Sequence, residues 1–96
     1  MSVRLIITLA AAAGKGPEFA SALRGRCEEV AREPGCEQFE VFQSALDPDK
    51  LVLLELWKDD AALEAHAAAN AARTPLPSGL SAGAAQREDY PYNRTR

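Results

Sequence analysis

Hydrophobic and polar positions recur along this chain with two different periods. Four segments alternate with a period of two or are rich in β-branched and aliphatic residues, and they predict four strands at about residues 3–10, 37–44, 51–57 and 85–93. Two further segments repeat apolar residues every three or four positions and predict two helices. One helix begins at Pro17 and the other covers Asp60–Ala71. The predicted order is therefore β-α-β-β-α-β.

Turn-forming residues separate these segments. The Pro-Gly pair at residues 34–35 ends the first helix, and Asp-Pro-Asp at residues 47–49 predicts a tight turn between the second and third strands. Asp59 is placed to cap the second helix. Residues 74–83, TPLPSGLSAG, predict a loop before the last strand, which is either a lid or a plain surface connector. The pattern predicts an α+β, ferredoxin-like fold, a four-stranded antiparallel sheet with two helices on one face.

The third strand is apolar on both of its faces. One face carries three aliphatic residues, and the other carries two leucines, a tryptophan and a glutamate. They are Val52, Leu54 and Leu56 on the first face, and Leu51, Leu53, Trp57 and Glu55 on the second. A sheet that is apolar on both sides is covered on both sides, and two helices cover only one side of so small a domain. We therefore expect a second copy to cover the other side, as a homodimer.

Composition narrows the possible partners. A length of 96 residues predicts one domain over residues 1–96. The net charge of -3 and the absence of a basic patch argue against nucleic acid as a partner. No segment approaches the roughly 20 apolar residues of a membrane span, and we interpret the apolar residues 1–13 as a strand, not a signal peptide. Two cysteines, Cys27 and Cys36, are too few for a disulfide framework and predict reduced thiols in a cytoplasmic protein.

Few motifs in the chain carry chemistry. The sequence has no metal-ligand spacing, and the Gly-Lys-Gly at residues 14–16 has neither of the glycine spacings that bind phosphate. His66 is the single histidine and the natural general base, unless it is a histidine at the margin of the core. Trp57 is a candidate wall for an aromatic substrate and a donor through its indole N–H, unless it is simply the largest core or interface residue.

Other polar and aromatic residues are candidates for the same site. Tyr90 and Tyr92 are candidate donors to a substrate oxygen or else edge-strand packing residues, Asn70 is a candidate for the rim of a pocket, and Phe42 is a further candidate substrate-binding residue. Two glutamates, Glu40 and Glu55, each interrupt an apolar face. Each is a candidate base or the partner of an arginine, the candidate arginines being Arg4, Arg87 and Arg94.

These residues resemble the antibiotic biosynthesis monooxygenase (ABM) family over nearly the whole chain. The resemblance is carried by EPGC at residues 33–36, FEVF at 39–42, DP at 47–48, LLELW at 53–57, Asp59, AL at 62–63 and AH at 65–66. It implies a dimeric α/β barrel with a pocket in each subunit between sheet and helices. It also implies that O2 oxidises a phenolic or quinol-type aromatic without any cofactor, with Trp57 orienting the ring and His66, or a tyrosine of the last strand, managing the proton.

Two other functions stay open at the level of the sequence. The same barrel is also suited to binding a small hydrophobic molecule without chemistry, or to an isomerase or cyclase reaction. The segment after His66 differs from the family pattern, in which a longer apolar helix with more aromatic or histidine residues usually follows. It predicts a pocket that is shallower, more open, or filled by Leu76 and Leu80.

Overall fold

The computed structural model describes residues 1–93 and confirms the predicted order of elements and the ferredoxin-like fold. The elements are β1 (Ser2–Ala10), α1 (Gly16–Val30), β2 (Cys36–Gln43), β3 (Lys50–Trp57), α2 (Asp60–Ala71) and β4 (Gln86–Tyr92). The four strands form one antiparallel sheet in the order β2-β3-β1-β4. Strand β4 is therefore an edge strand, as the proline at position 91 predicted.

The core lies between one face of the sheet and the two helices. α1 packs on β2 and β3, and α2 packs on β1 and β3. The apolar stripe of α1 is buried as its spacing predicted, through Phe19, Leu23, Cys27 and Val30. Three strands of the sheet contribute the buried apolar residues of one face, which are Val3, Leu5, Phe39, Leu51, Leu53 and Trp57. The helices therefore cover the face of β3 that carries Glu55 and Trp57.

Short polar contacts set where each helix begins. The carboxylate of Asp49 accepts hydrogen bonds from the backbone N–H groups of Gly14 and Gly16, both at 2.9 Å, and so ties the start of α1 to the β2–β3 hairpin. The carboxylate of Asp59 accepts from the N–H of Ala62 at 2.8 Å and caps α2 as predicted. Both helices are thus joined to the ends of β3.

The segment at residues 74–83 contains no helix, and its strand content is a single bridge between Ser81 and Ala11. Its last part is tied to the end of β1, because the N–H of Ala12 donates to the carbonyl of Leu80 and the N–H of Ala82 donates to the carbonyl of Ala10, both at 2.8 Å. Leu80 is buried in the core cluster and Leu76 packs against that cluster. These contacts anchor the segment to the core, which favours a connector over a lid.

The second face of the sheet is left uncovered by the helices, and we call it the open face. Its central residues are the aliphatic residues of β1 and β3, Ile6, Val52, Leu54 and Leu56, all only partly buried. The register pairs Arg4 with Tyr90, Ile6 with Glu88 and Thr8 with Gln86, so these β4 side chains share the open face with Tyr92. Phe42 of β2 lies on the same face.

Gly35 is the tightest point of the turn between α1 and β2. Its φ is +81°, and a Cβ there would lie 2.5 Å from the Cβ of Ala62 in the first turn of α2. We expect Gly35→Ala to lower the free energy of unfolding by about 2–4 kcal/mol, because it adds both left-handed strain and a clash. Urea unfolding measures this change.

Gly79→Ala is the matched control, since Gly79 has a φ of +85° and its added Cβ would meet no heavy atom of residues 1–93 within 4 Å beyond its two chain neighbours. It should lose only the backbone part, about 1–2 kcal/mol. Equal losses in the two variants would contradict the close approach of the turn to α2.

Candidate functional site

A half-open pocket of about 510 Å³ lies between the sheet and α2. This volume is within the range of small-molecule sites in proteins. Its apolar walls come from β1 and α2, and its polar groups come from β3, α2 and β4. The apolar residues are Leu5, Ile7, Leu63, Ala67 and Ala71, and the polar residues are Glu55, Glu64, His66, Asn70 and Arg87. Leu76 and Leu80, which the sequence offered as possible fillers, are not among these lining residues.

His66 is held on two sides by the fold. Its ring stacks on the indole of Trp57 with a centroid distance of 4.6 Å and an interplanar angle of 29°, and it also contacts the ring of Phe39 at 5.5 Å. Its Nδ1 lies 3.1 and 3.2 Å from the two carboxylate oxygens of Glu33, in the turn that follows α1. The His66 side chain is only 11% exposed. The histidine is therefore ordered at the wall of the pocket, and its second nitrogen, Nε2, is left for other partners.

Glu55 is a buried carboxylate in this pocket, with only 2% of its surface exposed. Burial raises the pKa of its carboxyl above the ordinary value of 4.5. Three groups oppose that rise in pKa: the indole N–H of Trp57, which donates to Glu55 Oε1 at 2.9 Å, and the charges of His66 and Arg87. Glu33 adds to the rise. A carboxyl with a raised pKa beside a histidine is an arrangement typical of proton-transfer sites.

Trp57 is 0% exposed and contacts two of the polar residues of the site, Glu55 and His66. The sequence suggested that it walls a substrate and offers its indole N–H to it. The structure changes this expectation, because the N–H is already donated to Glu55 and the ring is stacked by His66. Trp57 therefore lies in the core beneath Glu55 and His66 and contacts both of them. Its indole N–H has a hydrogen-bond partner, as is usual for a buried tryptophan.

Asn70 and Arg87 lie at the mouth of the pocket. Asn70 is one turn beyond His66 on α2, as the sequence predicted, and its Oδ1 is 3.4 Å from Arg26 Nη1. The side chain of Arg87 is about half exposed, and its Nε donates to Asp89 at 3.0 Å. Arg87 faces the helices because its partner across the β1–β4 ladder is Ile7. A cationic and an amide group therefore border the entrance.

The structure does not bring the remaining predicted site residues to this pocket. Tyr90, Tyr92 and Phe42 lie on the open face, on the other side of the sheet from His66 and Trp57. Tyr90 and Phe42 are 43% and 48% exposed, and the ring of Tyr92 lies under the guanidinium of Arg4 at 5.0 Å. The period of two showed that the tyrosines share a face but did not show which face the helices cover. Their role in substrate binding stays a prediction without support from this pocket.

The arginine candidates divide in the same way. Arg4 is on the open face, where it donates to the side chain of Gln38 and, at 3.3 Å, to the backbone carbonyl of Glu55, so it is not the partner of the Glu55 carboxylate. Arg87 is the candidate arginine whose charge acts on Glu55. Arg94 lies outside the described residues.

Glu40 is exposed on the open face, where Gln38 donates to it at 3.0 Å. The sequence singled out Glu55 only as one of two glutamates, and it contained no signal that linked Glu33 to His66.

The two cysteines carry no sign of nucleophilic chemistry. Burial raises the pKa of the Cys27 thiol to about 11, and burial also raises the pKa of Cys36. Both are free thiols, and a raised pKa leaves little thiolate at neutral pH. Among residues 1–93 we find no group of three or more metal-binding side chains. None of the helices in that same part of the chain is long and apolar enough to cross a membrane.

The chain shares a family pattern and a fold with known proteins. The family model for antibiotic biosynthesis monooxygenases matches residues 2–74. No curated protein matches the sequence. The solved structure of PA3566 from Pseudomonas aeruginosa has a TM-score of 0.80 and 26% identity, covering 97% of this chain and 95% of that one.

Two further solved structures have the same fold. A candidate antibiotic biosynthesis monooxygenase from Nitrosomonas europaea has a TM-score of 0.77 and 25% identity, with 96% and 98% of the two chains covered. SnoaB from Streptomyces nogalater, a cofactor-independent oxygenase solved as a mutant, has a TM-score of 0.75 and 20% identity, with 98% and 95% covered. At 20% identity the likeness to SnoaB shows the fold alone.

The raised pKa of Glu55 makes a prediction about stability. Between the ordinary value of 4.5 and the raised value, the folded chain keeps a proton that the unfolded chain has lost, so stability falls as the pH rises through that window. Glu55→Gln removes this titration and retains an oxygen that accepts from Trp57. We expect the variant to be more stable than the wild type at neutral pH, because it has no buried carboxyl that must lose its proton there.

Urea unfolding of both proteins from about pH 4 to pH 8 checks this expectation. The difference in unfolding free energy should shrink towards the acid end, where Glu55 is protonated in both states. Glu28→Gln, at an acid of α1 whose side chain is 63% exposed, is the control and should stay within about 0.5 kcal/mol of the wild type throughout. A Glu55→Gln variant that is less stable than the wild type at neutral pH would show that ionised Glu55 is a net stabilising group.

Proposed function

The chain belongs to the antibiotic biosynthesis monooxygenase family, and on that premise we propose that it is a cofactor-independent monooxygenase. Its substrate is a phenolic or quinol-type aromatic small molecule, which it oxidises with O2. The observation that carries the proposal is the pocket between the sheet and α2, in which a histidine and a buried carboxyl stand over apolar walls.

The reaction places a defined demand on such a pocket. A phenol that reacts with O2 to give a quinone and water loses two hydrogens, the phenolic one and the one on the attacked ring carbon. One oxygen atom becomes the new ring carbonyl, and the other leaves as water with both hydrogens. The aromatic substrate supplies all the electrons that reduce O2, so the protein has only to bind the ring, accept the two protons, return them to the departing oxygen, and exclude bulk water.

Two groups of the pocket are suited to accept these protons. We assign the phenolic proton to His66, because an imidazole is the base whose charge changes near neutral pH. We assign the ring proton to Glu55, whose raised pKa makes it a stronger base than an exposed glutamate. Arg87 and Asn70 at the mouth then stabilise the anionic substrate oxygen. Trp57 positions both bases and does not itself contact the substrate.

The solved structures agree with this proposal at the level of the fold. SnoaB is described as a cofactor-independent oxygenase, and it shares the fold over nearly the full length of both chains. Apolar residues of β1 and α2 provide a surface on which a flat ring can lie. The two free, buried or half-buried thiols are compatible with the cytoplasmic location that the sequence predicted.

We also propose that the protein is a homodimer that packs through the open face. Val52, Leu54 and Leu56 of β3 present aliphatic side chains there, and Phe42 and Tyr90 flank them with nearly half of their surfaces exposed. Apolar surface of this kind marks an interaction site. Two copies of one sheet face make a self-complementary contact with twofold symmetry, which gives Phe42 and Tyr90 a role as interface residues.

Oxygen uptake tests the catalytic proposal. The protein, freed of metal, is incubated with a panel of anthrone-like and naphthoquinol compounds in an oxygen electrode. We expect uptake above autoxidation, and a loss of about 100-fold in kcat or more in His66→Phe. Phenylalanine keeps a ring to stack on Trp57 but has no proton acceptor, so the loss reports the base and not the packing.

Leu46→Ala is the control, because Leu46 is 97% exposed at the tip of the β2–β3 hairpin. It should keep the wild-type rate. Full activity in His66→Phe would contradict the role of His66. No uptake by the wild type across the panel would contradict the monooxygenase and favour a barrel that binds a hydrophobic molecule without chemistry.

The dimer makes a separate prediction. Light scattering after size-exclusion chromatography should give twice the chain mass of 10.3 kDa at micromolar concentration. Leu54→Asp should give a folded monomer, since Leu54 lies at the centre of the open face between Ile6 and Glu40 and the charge would be buried without a partner. Leu46→Asp introduces the same charge away from that face and should remain dimeric. A monomeric wild type would rule out the interface.

A further inference from the structure

We propose that Glu33 is a positioning residue for His66. Its carboxylate holds the imidazole proton on Nδ1 and thereby leaves the basic lone pair on Nε2. Because it assigns a task to the base of the pocket, this inference rests on the proposed function. Glu33 itself does not line the pocket. It acts on His66 through the Nδ1 contact and on Glu55 only through its charge, and the tautomer reports the first of these effects alone.

The first support is the geometry of the pair. Both carboxylate oxygens of Glu33 lie within hydrogen-bond distance of the same nitrogen, His66 Nδ1, at 3.1 and 3.2 Å. The side chains are only 11% and 14% exposed, so little water competes for the contact. The residues are 33 positions apart, and one lies in the turn after α1 while the other lies in the middle of α2.

The second support is the chemistry of the two groups. An ionised carboxylate only accepts hydrogen bonds, and a neutral imidazole has one nitrogen that donates and one that accepts. A nitrogen that faces a carboxylate must therefore carry the proton. The other nitrogen, Nε2, then has the free lone pair and is the atom that can accept a proton from a substrate. The bond made by one ring nitrogen decides the task of the other.

The third support is that the Glu33 contact fixes the orientation of the His66 ring within its own plane, which stacking on Trp57 does not fix. Stacking on Trp57 fixes the plane of the His66 ring but does not decide which edge of the ring faces the pocket. The Glu33 contact selects that edge. Arg73, which follows α2, adds an ion pair to this carboxylate from a second side, with its Nη1 2.7 Å from Glu33 Oε2. Arg73 also approaches the more exposed Glu29, whose Oε2 is 3.4 Å from its Nε.

Nitrogen NMR tests this inference directly. His66 is the single histidine of the chain, so protein labelled with ¹⁵N-histidine gives one pair of ring signals without ambiguity. At a pH where the ring is neutral, we expect the wild type to carry its proton on Nδ1. A wild-type proton on Nε2 would overturn the inference, and this measurement needs no variant to fold.

Variants then test whether Glu33 is the cause. In Glu33→Ala the proton should move to Nε2, the form that a histidine side chain favours in water, and kcat should fall about 10- to 100-fold with little change in KM. Glu29→Ala is the matched control, since it removes the other carboxylate near Arg73 and should keep both the wild-type tautomer and the wild-type rate. An unchanged tautomer in Glu33→Ala would overturn the inference.

The two proposals fail in different ways. The tautomer is measured without a substrate, so a wild type that consumes no oxygen contradicts the monooxygenase and leaves the nitrogen signals to decide the role of Glu33. Oxygen uptake by a protein whose proton sits on Nε2 contradicts the role of Glu33 and leaves the monooxygenase intact.

Discussion

The hydrogen bond from the Trp57 indole N–H to the Glu55 carboxylate, 2.9 Å long, joins the hydrophobic core to the candidate site. Removing a carboxylate from water costs free energy unless hydrogen bonds or charges compensate for it. Here the buried indole supplies one such bond, and the charges of His66 and Arg87 add to the compensation. The same indole is the surface on which His66 stacks. One core residue therefore contacts both groups to which we assign proton transfer, so the arrangement of the site depends directly on the packing of the core.

The two faces of the sheet have different roles, one in the candidate site and the other in the proposed dimer contact. The helix-covered face carries the pocket and all of the groups to which we assign chemistry. The open face carries the aliphatic side chains of β3, and Phe42 and Tyr90 stand beside them. Exposed apolar surface on a small domain is costly unless it is covered, so the open face is suited to a second copy. Because the two faces are on opposite sides of the sheet, Phe42 and Tyr90 do not lie in the same pocket as His66.

The turn between α1 and β2 links the two helices at the site. Gly35 lets this turn approach the first turn of α2 closely, where a larger residue would collide with Ala62. Two positions earlier, Glu33 reaches His66 in the middle of the same helix and Arg73 just beyond its end. Three points along α2 are thus tied to one short turn. The position of His66 depends on this turn as much as on the helix that carries it.

Local chemistry in the sequence determined the elements, because hydrophobic period, proline, glycine and capping residues act within a few positions along the chain. The bounds of α2, the cap at Asp59, the tight turn before β3 and the edge position of β4 were all predictable in this way. The period of two also showed that Glu55 and Trp57 share a face. It could not show that the helices cover this face and not the face of Tyr90 and Tyr92, because that choice depends on how apolar area from all four strands packs together. Nor could it pair Glu33 with His66, since that contact joins residues far apart in sequence. Only the tertiary structure determined which face of the sheet the helices cover and which carboxylate contacts His66.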